Sequence, residues 1–223
     1  MGNLGIIFTG GEGPGPETLR RLLGGAEKDA VTVAADSGLR LAEAAGLRPD
    51  WIIGDMDSLD GEEMLRGYPP ERVIRHPVDK DFTDTELAYN MLREKGCNSV
   101  WIMGGGGGRI DHLFGIREMF EKEPCPCRWV TAAEDIYRVS AQDASGGSLT
   151  RRLVPGGIVS VLPLGGAPWK AESRGLKWPL NDVRWERGKL AICNIAVTSE
   201  IEIKVQQGRF MIITFIEEEL WRQ

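Results

Sequence analysis

From residue 4 to residue 132 the chain alternates short apolar runs with segments of helical spacing. The runs are LGIIFTGG (4–11), AVTVAADSG (30–38), WIIGDMDS (51–58), ERVIRHP (71–77), SVWIMGGGGG (99–108) and CRWVTA (127–132). Between them, ETLRRLL (17–23), LRLAEAAGL (39–47), TDTELAYNMLREKG (83–96) and RIDHLFGIREMFEK (109–122) read as amphipathic helices, with Gly46 and Gly96 as stops. Strands whose apolar residues are continuous rather than alternating are buried on both faces. The pattern therefore predicts a largely parallel, Rossmann-like three-layer α/β/α domain.

Beyond about residue 140 the amphipathic helices vanish. Short β-type segments follow: LTRRLV (149–154), GIVSVLPL (157–164), WKAESRG (169–175), VRWERG (183–188), KLAICNIAV (189–197), EIEIKVQQG (200–208) and RFMIITFIE (209–217). The last two, joined by QQG, predict a hairpin. The reading is an α/β domain over residues 1–140, then a smaller antiparallel β-sandwich over 141–223, with the boundary in AQDASGGS.

Composition narrows the function classes. A 223-residue chain with 42% hydrophobic and 27% charged residues has the make-up of a globular protein, and its net charge of −6 argues against coating nucleic acid. No apolar run reaches the length of ~18 residues that a membrane helix needs, and the start of the chain lacks the build of a signal peptide. The expectation is a cytoplasmic protein with no membrane or nucleic-acid partner. The four cysteines and two histidines, His76 and His112, lack zinc-site spacing, which leaves reduced, structural thiols.

The candidate chemistry gathers at strand ends, where open parallel sheets bind ligands. Asp36, Asp55 and Asp57 follow predicted strands. Two like charges ~4 Å apart repel by about 1 kcal/mol in water and about 4 kcal/mol in a protein-like medium, so crowded carboxylates call for open solvent, a helix start or a cation. In DKDFTDTE (79–86), Thr83 and Glu86 have capping-box spacing, which puts Asp84 in a first helical turn and Asp81 just before it. Helix-end electrostatics account for those acids alone; together with Asp55 and Asp57, a hard divalent cation accounts for them better. Gly104–Gly108 let backbone approach phosphate oxygens, and Arg109 adds a charge-assisted donor. The run matches neither a Walker A loop nor GxGxxG. His112 is open to stacking, hydrogen bonding or a structural role. Trp169, Trp178 and Trp185 suit a β-domain core, while an exposed aromatic face would suit a flat, cationic ligand.

ADSG (35–38), GDMDS (54–58), KDFTDTE (80–86) and GGGGGRIDH (104–112), in this order and spacing, closely resemble thiamine pyrophosphokinase, as do the later GLKWPL (175–180) and the CN of LAICN. The resemblance spans essentially the whole chain. It implies Mg²⁺-dependent transfer of pyrophosphate from ATP to the hydroxyl of thiamine, giving thiamine diphosphate and AMP. It also implies a homodimer whose active site is shared between chains. Carried onto this sequence, Asp55, Asp57 and Asp84 resemble the Mg²⁺ ligands, with Asp36 on the same acidic edge. Asp81, Asp84 and Lys80 fall at the reacting groups. Ser37, Thr83, Gly106, Gly107, Arg109, Asp111 and His112 resemble the nucleotide-binding set, and Cys193 and Asn194 stand where the family has Ser-Asn at the thiamine site.

Three positions depart from the family pattern: Ser37 for a common glycine, Cys193 for serine, and Gly115 where asparagine is frequent. A thiol is the weaker hydrogen-bonding group, so thiamine affinity is the property most exposed to change. Two other readings remain open on the residues alone: a nucleotide-sugar transferase that holds its metal with Asp-x-Asp, and a thiamine or nucleotide sensor without turnover.

Overall fold

The computed structural model describes residues 3–56, 64–77, 79 and 81–216. They form two compact units, one of residues through Met119 with Arg128–Ala132, the other of Phe120–Cys127 with the chain from Ala133 onward.

In the first unit, β1 (Asn3–Thr9), β2 (Val31–Ala35), β3 (Trp51–Gly54), β4 (Val73–Arg75), β5 (Cys97–Gly104) and β6 (Arg128–Val130) lie in the order β6-β5-β1-β2-β3-β4. Every pairing among them is parallel. The continuous apolar runs explain this: Ile6, Ile7 and Phe8 of β1 and Val33, Ala34 and Ala35 of β2 are all buried, as strands covered on both faces must be. The helices are α1 (Pro16–Leu23), α2 (Gly38–Ala44), α3 (Asp84–Glu94) and α4 (Ile110–Met119). α2 and α3 pack onto β1 and β2. Strands β1 to β4 progress one way from β1 while β5 and β6 lie on its other side, so the order reverses between β1 and β5. Such a reversal opens a crevice at the carboxyl ends of the strands.

Local signals set the helix starts. α1 begins with Pro16 and ends at Gly24, a left-handed residue (φ 60°) whose N–H donates to Arg20 O. α3 opens with the capping box that its spacing predicts: Glu86 N–H donates to Thr83 Oγ1 at 3.2 Å, and Thr83 N–H donates to Glu86 Oε2 at 2.9 Å. α2 starts against the main chain of β1. A Cβ on Gly38 would sit 2.1 Å from Phe8 O and 2.6 Å from Thr9 Cα, so only glycine allows this approach.

The second unit is a sandwich of two antiparallel sheets. One has the order β10-β12-β8, from β8 (Ser148–Arg152), β10 (Lys170–Arg174) and β12 (Glu200–Gln207). The other joins β11 (Ala191–Ile195), β9 (Ile158–Leu164), β13 (Arg209–Phe215) and β7 (Glu134–Ser140) in that order. Val159, Val161, Phe210 and Ile212 from one sheet and Ala171, Ile201, Ile203 and Val205 from the other share a single buried core.

Three features differ from the sequence reading. β7 (EDIYRVS) lies before the expected boundary at residue 140, in a stretch to which the sequence reading assigns no element. Its Asp135 is 1% exposed and accepts hydrogen bonds from Tyr137 Oη at 2.7 Å and Arg151 Nη2 at 2.9 Å. Second, β12 and β13 do not form a hairpin. One residue, Gly208 (φ 73°), separates them, and the chain passes there from one sheet to the other. A single residue is too short for a paired reversal. Third, residues 183–188 are not a strand. Val183 N–H and Lys189 N–H close turns onto Leu180 O and Glu186 O, and Trp185 packs edge-on against Phe210 with ring centroids 4.8 Å apart. All four cysteines are free, and burial pushes the Cys125 thiol up to about 11.

Two substitutions test these local causes. Gly38→Ala forces α2 away from β1 and is expected to destabilise the protein by about 1–3 kcal/mol in urea unfolding. Thr83→Ala removes the α3 cap and is expected to lower stability by ~1 kcal/mol, with unchanged stability contradicting the assigned helix start.

Candidate active site

Strand register builds the site. Thr9 is paired with Ala35 on one side and with Gly104 on the other, and Ala35 is paired with Ile53. Four parallel strands therefore end nearly level, and the residues that follow their ends, Gly10, Asp36, Asp55 and Gly105, come to one edge. A cavity of about 510 Å³ opens there, lined by these strand ends, the start of α3 and the start of α4.

Asp36 follows β2 in a constrained turn. Its φ is 45°, a left-handed conformation uncommon outside glycine and adopted most readily, among other residues, by asparagine, aspartate and histidine. Its N–H donates to Ile53 O at 2.9 Å, which fixes the turn. Its Oδ1 is buried with no hydrogen-bond partner among the described residues. A strained residue presenting a buried, unsatisfied carboxylate oxygen is costly by itself and marks a place for a ligand. Asp55 lies between Gly54 (φ 150°) and Met56 (φ 65°). The Met56 side chain anchors that turn in a cluster with Ala34, Leu39, Ile52, Leu65 and Tyr68. Asp84 enters the same cavity from the first turn of α3, beside the capping residue Thr83.

The glycine run is braced more than its composition suggests. Gly105 N–H donates to Gly10 O at 2.9 Å, Gly106 N–H to Glu12 O at 2.9 Å, and Glu12 N–H returns to Gly106 O at 2.6 Å. Trp129 Nε1 donates to Gly104 O at 2.8 Å. The amides of Gly105 and Gly106 are thus committed to the loop after β1. Gly107 and Gly108, both left-handed (φ 58° and 62°), are the glycines whose N–H groups take no partner among the described residues. A Cβ on Gly104 would lie 2.3 Å from Thr9 O, so the loop departs from β1 at backbone contact distance.

At the start of α4, Arg109 grips Asp111 with two hydrogen bonds, Nε to Oδ1 at 3.1 Å and Nη2 to Oδ2 at 2.6 Å. Both are exposed. The hydrogen bond from Arg109 holds the Asp111 carboxyl below the usual carboxylate range. Arg109 and His112 line the cavity; Asp111 and the exposed Asp81 do not. Ser37 lines it as well, and Gly10 makes room for it: a Cβ there would lie 2.3 Å from Ser37 Oγ. Gly115 also faces the cavity, and a Cβ there would meet nothing within 4 Å. Asp57 and Lys80 lie outside the described residues. Cys193 and Asn194 belong to the second unit. There Cys193 is exposed and left-handed (φ 59°), while Asn194 is 3% exposed.

The sequence reading missed Thr9, Gly10, Gly11 and Thr85 as lining residues. Thr9 Oγ1 and Thr85 Oγ1 form a buried hydrogen bond of 2.6 Å that ties the end of β1 to α3. The Gly-Gly closing LGIIFTGG carried the same signal as the glycines closing β5.

Among the described residues no three acidic, imidazole or thiol groups come together as a metal site. Mg²⁺ does not require such a group, since it takes one or two carboxylates and fills its remaining positions with water and phosphate. The unpartnered Oδ1 of Asp36, with Asp55 and Asp84 on the same cavity, fits that donor chemistry.

Residues 25–124 match the family model for the thiamin pyrophosphokinase catalytic domain, and residues 148–210 match the model for the thiamin pyrophosphokinase vitamin B1 binding domain. A thiamine pyrophosphokinase of Bacillus subtilis is 30% identical over 110 residues, which cover 48% of this chain and 51% of that protein. Thiamine pyrophosphokinase 2 of Arabidopsis thaliana is 25% identical over 162 residues, 69% of this chain and 60% of that one. The matches thus span about half to three-fifths of these curated relatives. The crystal structure of thiamin pyrophosphokinase from Geobacillus thermodenitrificans superposes with a TM-score of 0.71 at 26% identity, covering 96% of this chain and 98% of that chain. The yeast thiamin pyrophosphokinase structure shares the fold, with a TM-score of 0.64 at 17% identity over 96% of this chain and 86% of that one. With both domain models matched in order and the same fold throughout, the chain belongs to the thiamin pyrophosphokinase family.

Proposed function

We propose that this protein transfers the pyrophosphoryl group of ATP to the hydroxyl of thiamine, giving thiamine diphosphate and AMP. The observation that carries the reading is Asp36. A buried carboxylate oxygen without a hydrogen-bond partner is held in a strained turn, at the crevice where the strand order reverses. In a family with a catalytic and a vitamin B1 binding domain, a cation bound with nucleotide phosphates is the natural partner for that oxygen.

On this reading the substrate hydroxyl oxygen attacks the β-phosphorus. That bond forms as the bond between the β-phosphorus and the oxygen bridging to the α-phosphorus breaks, and AMP leaves with the electron pair. The hydroxyl proton passes to a carboxylate or to solvent, with Asp84 and Asp81 the candidate acceptors. Phosphoryl transfer of this kind depends on positioning and charge neutralisation. Asp36, Asp55, Asp57 and Asp84 would hold Mg²⁺, which when bound offsets charge on the phosphate oxygens. The free amides of Gly107 and Gly108 donate to phosphate, with Ser37 and Thr83 alongside and Lys80 adding charge. Arg109 exchanges its bidentate contact with Asp111 for a phosphate, an exchange favoured by the greater charge of the new partner. His112 borders the nucleotide.

The second unit supplies the thiamine surface, around the exposed Trp178 and Cys193. We further propose a homodimer that shares its active site between chains, and a cytoplasmic setting. No described helix is long and apolar enough to cross a membrane, and the cysteines are free.

With ATP, Mg²⁺ and thiamine, AMP and thiamine diphosphate are expected to appear together, and chromatography of the products checks this. Formation of ADP instead would mean that a different bond breaks. Asp36→Asn is expected to lower turnover by about 10²–10³-fold while leaving the melting temperature unchanged or raised, because asparagine tolerates φ 45° and carries no buried charge. Full activity in that variant would remove Asp36 from the site. If the site is shared, specific activity falls as the protein is diluted through its dimer constant; constant activity in a demonstrated monomer would contradict sharing.

A further inference from the structure

Trp178 is 54% exposed, yet its main chain is held at every turn. Leu176 and Leu180, two residues to either side, are 6% and 1% exposed and sit in the sandwich core. Leu176 bridges Ala196, Lys177 N–H donates to Ile195 O at 2.8 Å, and Val197 N–H donates to Gly175 O at 2.8 Å. On the far side Leu180 N–H donates to Ser173 Oγ at 3.0 Å. The segment GLKWPL is therefore a stapled loop with an indole at its tip. The Lys177 ammonium lies 4.7 Å from the ring centroid and restrains the ring itself.

Asn194 closes the clamp. Its Nδ2 donates to Trp178 O at 2.6 Å, and its Oδ1 accepts from Trp178 N–H at 3.1 Å and from Ile195 N–H at 2.8 Å. Both acceptor sites of the amide oxygen are filled and one of two donors is used. The bulge in β11 between Ala191 and Asn194, where Cys193 is left-handed and its N–H donates to Ser160 Oγ at 3.2 Å, sets this arrangement up. It leaves Ile192 and Cys193 exposed in succession and turns Asn194 inward to 3% exposure. A side chain so buried and so committed is not shaped to reach a ligand.

We propose that Asn194 is a positioning residue for thiamine that acts through Trp178 and makes no contact with the substrate. The inference rests on the second unit being the thiamine surface. Clamped at N–H and C=O, Trp178 presents its indole as a fixed platform for a planar, cationic substrate. A ring already fixed loses little freedom on stacking, which favours affinity.

A double-mutant cycle on the full chain tests this, with thiamine affinity measured by equilibrium dialysis beside KM for thiamine and for ATP. Trp178→Ala and Asn194→Ala are each expected to weaken thiamine binding by about tenfold, with KM for ATP unchanged. The double variant is expected to be no weaker than Trp178→Ala, because Asn194 has nothing left to position. Asn194→Ser, which is too short to span both main-chain groups, should reproduce Asn194→Ala if the latter does not fold. Multiplied losses approaching about a hundredfold would overturn the proposal by showing an independent contact, as would unchanged affinity in folded Asn194→Ser. Wild-type protein that fails to bind thiamine would overturn the thiamine reading and the proposal together, whereas binding that survives Trp178→Ala overturns the platform alone.

Discussion

The first unit depends on one constraint: four parallel strands ending at nearly the same level. Because Thr9 pairs with both Ala35 and Gly104, and Ala35 with Ile53, the residue after each strand emerges at one edge. The backbone has to be bare where these exits crowd. Gly38 lets α2 begin against Phe8 and Thr9, and Gly104 lets the glycine loop leave within contact of Thr9 O. The cavity, its carboxylates and its free amides follow from that close approach, and a shift of register by one residue would turn Asp36 toward the wrong face.

The strain lies where this edge is made. Asp36 and Met56 are non-glycine residues in left-handed backbone, and Gly54 between them has φ 150°. Asp36 is fixed by its N–H to Ile53 O, and Met56 by its side chain in the apolar cluster below. Backbone strain of ~1–3 kcal/mol per residue persists only where surrounding packing enforces it, and here it holds two carboxylates on the cavity. The second unit uses the same strategy at Cys193, whose left-handed bulge turns Asn194 inward and leaves Trp178 outward. In both units a left-handed residue fixes where the side chains beside it point.

Much of this was legible in the sequence because it is local. Continuous apolar runs gave parallel strands, Thr83 with Glu86 gave a capping box, and residues after apolar runs gave the cavity edge. What stayed hidden depends on partners distant in the chain. β7 went unassigned, and nothing near its buried Asp135 announces the partner Arg151, sixteen residues on. The β12–β13 hairpin failed because apolar content alone does not say which sheet a strand joins, and only packing decides. The glycine run read as one phosphate cradle; the N–H groups of Gly105 and Gly106 are bonded to the loop after β1, while those of Gly107 and Gly108 take no partner among the described residues. Asn194 read as a substrate contact, and nothing local in the sequence announces that its amide is bonded to the main chain of Trp178, sixteen residues before it.

The central claim is that this edge is built for a nucleotide together with a divalent cation, with Asp36 as the group that demands the cation. The most direct measurement is calorimetric binding of a non-hydrolysable ATP analogue with Mg²⁺ and with chelator, in the wild type and in Asp36→Asn. The account predicts wild-type affinity at least about tenfold stronger with Mg²⁺, and loss of that difference in Asp36→Asn. Equal affinity with and without the cation in the wild-type protein would contradict it.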